Sequence, residues 1–167
     1  MKKTTILLLA ALALLSLTAC GAGDDNTSET ADVALNSFYA GLAEKYAWDD
    51  EYMVDIEGEM LESYYPGISD LAAKQMVLKM PMMSAIVNEL AFVECETEED
   101  ADKAEEIFQA RIDYQVGDEN NPGGAWYPES IESWKDAQVI RKGNYVAMIA
   151  SAEHQSEIAE SFEQQFQ

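Results

Sequence analysis

The spacing of apolar residues changes along the chain, and each change predicts an element. From Asp32 to Tyr46, Leu35, Tyr39, Leu42 and Tyr46 fall on one helical face with Phe38 beside them, so a helix is expected there with Thr30 or Asp32 as its cap. Glu57 to Tyr65 repeats the pattern more weakly through Met60, Leu61 and Tyr64, and Pro66-Gly67 stops it. The period then shortens to two. Gln75–Met83 reads as a strand in which Pro81 implies an edge or a bulge. Leu90–Glu96 alternates, with Ala91, Val93 and Cys95 on one side and Leu90, Phe92, Glu94 and Glu96 on the other.

Thr97 followed by Glu98-Glu99-Asp100 is a helix start, because a hydroxyl caps the first turn and carboxylates favour the positive end of the dipole. Ala101, Ala104, Phe108 and Ile112 form its buried stripe, which runs to Val116-Gly117. A loop, Gly117–Gly124, leads to Trp126-Tyr127-Pro128 and a short helical turn with Ile131 and Trp134. Ala137–Arg141 and Tyr145–Ala150 flank Lys142-Gly143-Asn144, a hairpin whose Gly suits the first position of a type II′ turn. Ser151 then opens a last helix through Ile158, Phe162 and Phe166.

The expected order is α-α-β-β-α-β-β-α. It implies an α+β fold: an antiparallel sheet of about four strands, in two hairpins, with helices packed mainly on one face.

The N-terminus has a different pattern. Met1-Lys2-Lys3 precedes 14 residues, Ile6–Ala19, that are apolar except for Ser16 and Thr18. That run is short of the ~20 residues a membrane span needs and has the shape of a signal peptide. It ends in Leu17-Thr18-Ala19-Cys20-Gly21, which resembles the lipobox of bacterial lipoproteins. The resemblance implies that the Cys20 thiol receives a diacylglyceryl group and that cleavage makes Cys20 the new N-terminus. The expected organisation is a signal peptide (1–19), a lipidated Cys20 with a flexible acidic tether (20–32), and one α+β domain (33–167). The expected location is the extracytoplasmic face of the cell membrane, with the membrane engaged through the lipid on Cys20 alone.

Charge narrows the function. The 167 residues hold 32 acidic and 10 basic side chains, a formal charge of -22. Loss of Lys2 and Lys3 leaves 8 basic against 32 acidic residues, or -24. Such a body repels phosphates, so nucleic acid is excluded as a partner. At 48% hydrophobic residues, the composition is that of a folded protein.

Few residues carry chemistry. Cys95 is the only thiol of the expected domain, and its alternation with Ala91 and Val93 predicts an inert, buried group. His154 is the only imidazole and reads as a capping or rim residue. Asp118–Gly123 has the look of a calcium loop, but Pro122 stands where an oxygen ligand belongs. No catalytic residue, cofactor or metal site is therefore assigned. Trp126 and Tyr127 remain, beyond a Gly/Pro-rich loop. Two readings stand for them: a stacking platform for a sugar or peptide, or rings folded back over a core edge. The expected role is a non-enzymatic binding module whose partner is an envelope glycan, a peptide or a cationic protein. The alternative is a small envelope hydrolase using paired carboxylates. The oligomeric state is left open.

An acidic strand end running into a charged helix, Arg111 and Gln115 late in that helix, Tyr127-Pro128, and Gly143-Asn144-Tyr145-Val146 together resemble the domain of unknown function 4358 family. That family implies a small surface lipoprotein of a bacterium without an outer membrane, and it supplies no catalytic residues.

Overall fold

The computed structural model describes residues 32–83 and 85–167. The signal peptide, Cys20 and nearly all of the tether lie outside the described residues. A single antiparallel sheet has the strand order β1-β2-β3-β5-β4, formed by β1 (Met53–Asp55), β2 (Ala73–Pro81), β3 (Asn88–Cys95), β4 (Gln138–Lys142) and β5 (Tyr145–Ser151). Five helices accompany it: α1 (Leu35–Tyr46), α2 (Glu59–Tyr64), α3 (Glu98–Val116), α4 (Pro128–Lys135) and α5 (Gln155–Glu163). Among the described residues no helix is long and apolar enough to cross a membrane.

The fold is α+β with an antiparallel sheet, but it has five strands where about four were expected, and α4 is a full helix of eight residues. The fifth strand, β1, is only three residues long and pairs Met53 with Pro81 at the end of β2. Over Lys79–Pro81 β2 is thus not an edge, and Pro81 closes it; its register shift falls between Ala73 and Gln75 instead.

The expectation that helices pack mainly on one face is wrong. Every residue of β3 and β5 is buried. Ala91, Val93 and Cys95 join Val146, Met148 and Ala150 under Phe108, Ile112 and Trp134. On the other face Leu90, Phe92, Tyr145, Ala147 and Ile149 pack with Leu35, Leu42, Ile158 and Phe162 of α1 and α5. The physical reason is visible in β5: Tyr-Val-Ala-Met-Ile-Ala is a continuous apolar run, as two-sided burial requires. Phe92 and Phe162 stack there at 5.8 Å, and Phe38 meets Phe92 edge-on at 5.2 Å.

Capping follows local chemistry. The Thr97 hydroxyl accepts the Asp100 N–H at 3.1 Å and starts α3. α1 has Ala34 at its cap position, which offers no acceptor, and the Gln75 side chain of β2 accepts the Leu35 N–H at 2.9 Å in its place. β4 and β5 are joined through Gly143, whose φ of 60° beside an ordinary Asn144 fits the expected turn.

Candidate functional site

The α3 C-terminus organises a group of exposed aromatic rings, Tyr114, Trp126 and Tyr127. Gly117 leaves the helix at φ 69°, and the Asp118 carboxylate then accepts the N–H groups of Asn120 and Asn121 at 2.6 and 2.8 Å. That carboxylate is occupied by its own turn. The returning chain lies along the last turn of α3, where Gly124 N–H donates to Tyr114 O at 2.9 Å and Ala125 N–H to Gln115 O at 3.1 Å. Only glycine fits at position 123, where a Cβ would collide with the Gln115 carbonyl oxygen; one on Gly124 would sit 2.6 Å from Gln115 Oε1 and push that side chain aside. The loop is thereby fixed, and the next two residues project from it. Trp126 is 89% exposed and Tyr127 57%. Pro128 then begins α4 at a position that needs no N–H.

A cleft of about 530 Å³ opens beneath these rings, a volume suited to a small organic ligand. α2 supplies Tyr64, α3 supplies Arg111, Tyr114 and Gln115, α4 supplies Ser130 and Trp134, and the neighbouring ends of β2 and β3 complete the wall. The floor is a buried ion pair. Arg111 Nε donates to Glu89 Oε1 and Nη2 to Oε2, each at 2.8 Å, and the Tyr65 hydroxyl donates to Glu89 Oε1 at 2.6 Å. Glu89 is 4% and Arg111 7% exposed. The guanidinium lies 4.4 Å from the Tyr64 ring and 5.6 Å from Trp134. Burial works against the charge on Arg111, but the hydrogen bonds and charge of Glu89 outweigh it and push the guanidinium pKa up. Burial, reinforced by the Glu89 charge, raises Tyr65 well above the usual phenol value.

A sequence model of the domain of unknown function (DUF4358) matches residues 46–151. The chain belongs to the DUF4358 family. No curated protein and no solved structure matches it. Within this DUF4358 domain, Arg111, Gln115 and Tyr127, quoted above for the resemblance, line the same cleft.

The other sequence-level candidates scatter. Cys95 is fully buried, and burial pushes its thiol up to about 11. His154 sits at the N-cap position of α5 without a side-chain capping bond, stacked on Tyr46 at 4.0 Å with Nδ1 3.1 Å from Glu157. It follows Ser151, which pairs with Asn88, whereas Cys95 is at the far end of β3, so the two share no site. Trp134 is 4% exposed and packs in the core. Among the described residues no group of three or more His, Cys, Asp or Glu is placed to hold a metal ion.

Sequence reasoning found the rim of the cleft and missed its floor. A signal was present in both partners. Arg111 interrupts the apolar side of α3 between Phe108 and Ile112, and Glu89 shares the inward register of Ala91 and Val93. Charges at two apolar positions, of opposite sign, were a pair to be matched.

Proposed function

We propose that this DUF4358 chain is a binding module, lipid-anchored through Cys20 at the extracytoplasmic face of the cell membrane, and that the aromatic cleft is its ligand site. The observation that carries the reading is the contrast between floor and rim. The floor is rigid, with both oxygens of Glu89 engaged, while Trp126, Tyr127 and the 65% exposed Tyr114 stand uncovered at the mouth. Exposed rings on a fixed frame suit recognition, since they offer large contact area at small entropic cost.

Geometry supports an outward-facing site. The chain enters the described body at Asp32 and Val33, and Val33 is held by Tyr145 and Gln75 beside Glu94. The cleft lies at the Glu89 end of the same strand. Five residues of β3 separate the two, about 17 Å at 3.4 Å per residue. A hydrolase with paired carboxylates is disfavoured, because among the described residues the cleft lining holds one carboxylate, Glu89, already bound to Arg111 and Tyr65.

Two experiments test this. Cys20→Ala is expected to abolish incorporation of radioactive fatty acid and cleavage by the lipoprotein peptidase; persistent labelling would end the anchor reading. Addition of isolated cell envelope is expected to protect Trp126 and Tyr127 from hydroxyl-radical labelling. Unchanged labelling of both rings would end the binding reading.

A further inference from the structure

The cleft has two charged groups, and each cancels the other. The ring cage of Tyr64 and Trp134 is filled by the chain's own Arg111, so a cationic ligand would meet an occupied cage and a positive charge. An anionic ligand would meet Glu89 and the field of a chain with a formal charge of -22. A neutral ligand meets neither penalty. The polar groups left over define its shape. Arg111 Nη1 has no hydrogen-bond partner among the described residues, and Arg111 lines the cleft. The Gln115 amide is also without a partner among the described residues, and Trp126 presents an open ring face above.

We propose that the cleft is a subsite for a neutral glycan: a pyranose lays its C–H face on Trp126 while its hydroxyl or acetamido oxygens accept from Arg111 Nη1 and Gln115. The inference rests on the binding-module reading and names its ligand class. Stacking supplies an apolar contact, and a donor already oriented by Glu89 loses little freedom on binding. A peptide that bound by strand addition could not add to β2 at this end, since β2 is paired there on both sides, by β1 and β3.

The test uses the full-length lipidated chain in a detergent without a sugar headgroup. Calorimetric titration with chitotetraose, cellotetraose and maltotetraose is expected to give saturable binding of at least one. Trp126→Ala is expected to weaken it about tenfold or more, and Trp126→Phe to retain most of it. The 89% exposure of Trp126 makes the variant safe for folding. Binding that survives Trp126→Ala unchanged overturns the proposal. So does binding of tetra-alanine or inorganic phosphate in place of every glycan, and so does the absence of binding by any glycan. In those cases protection of Trp126 and Tyr127 by whole envelope separates the two ideas. Protection leaves the module standing and removes the glycan; no protection removes both.

Discussion

The Glu89–Arg111 pair is the place where stability and site meet, and removing half of it gives a quantitative test. Glu89→Ala leaves a 7% exposed guanidinium without its bidentate partner and the Tyr65 hydroxyl without its acceptor. Breaking one side of such a pair costs about 3–5 kcal/mol, because the stranded charge keeps its desolvation penalty and loses its compensation. That is a large part of the ~5–15 kcal/mol by which small domains are stable. For a body of this size the melting temperature should fall by roughly 10–20 °C. Arg111→Met should be comparably harmful, since it strands the Glu89 carboxylate. The double variant Glu89→Leu with Arg111→Met strands no charge and leaves only the buried Tyr65 hydroxyl without its acceptor, so it should return to within about 1–3 kcal/mol of wild type. Urea unfolding followed by far-UV circular dichroism on wild type, Glu89→Leu, Arg111→Met and the double variant gives the coupling directly as the departure from additivity. A Glu89→Ala cost below about 1 kcal/mol, or a double variant as unstable as the sum of its parts, would refute the view that the floor is a buried, mutually compensating pair.

Three further outcomes follow from local geometry. Gly123→Ala should destabilise by about 1–3 kcal/mol through the collision with the Gln115 carbonyl, read in the same urea melts, and should raise radical labelling of the loop. Native Cys95 should resist a chromogenic disulfide reagent until urea unfolds the chain. Its thiol titrates higher in the fold, so the folded state holds more protons between the ordinary 9.0 and about 11, and stability falls as pH rises through that window, a slope that Cys95→Ser removes. Glu94 behaves oppositely: burial disfavours its charge, yet the hydrogen bonds from Gln75 and Lys74 prevail and hold it below the usual 4.5. The fold then binds fewer protons than the unfolded chain, so this contribution is full above 4.5 and is lost as pH falls, and Glu94→Gln should flatten that part of the acid-unfolding curve.

What was legible in the sequence was whatever depended on neighbours along the chain. Thr97 and the acidic first turn determine where α3 begins without reference to anything distant. Gly143 does the same for the β4–β5 turn, because a positive φ is cheap only there. The glycines before Trp126 signalled exposed rings for a similar reason, although the close approach to Gln115 that demands them was hidden. Hidden features depended on distant partners. The alternation of Leu90–Glu96 suggested one wet face because of Glu94 and Glu96, yet Glu94 is satisfied by Lys74 and Gln75 at the strand end. β1 has three residues, too few to show a period, and it exists because β2 offers it an edge. Arg111 and Glu89, 22 positions apart, give no joint signal until α3 lies over β3.

The two-sided burial of the sheet bears on function as well as on fold. A sheet covered on one face would have left its other face as the natural docking surface, and ligand and anchor would then have competed for space. Here α1 and α5 close that second face, and α1 does so just after the chain enters the body, with Leu35 pinned by Gln75. The proposed recognition site lies instead at the end of the sheet, where β2 and β3 stop and the loop after α3 leaves Trp126 exposed. Tension on the proposed anchor would act through Val33 on the Gln75–Glu94–Tyr145 cluster at the opposite end. The cleft floor lies on the same strand, β3, at its other end, and is tied also to α3 and the Tyr65 segment. In the proposed arrangement, strand β3, hydrogen-bonded on both sides by β2 and β5, separates site from tether by about 17 Å.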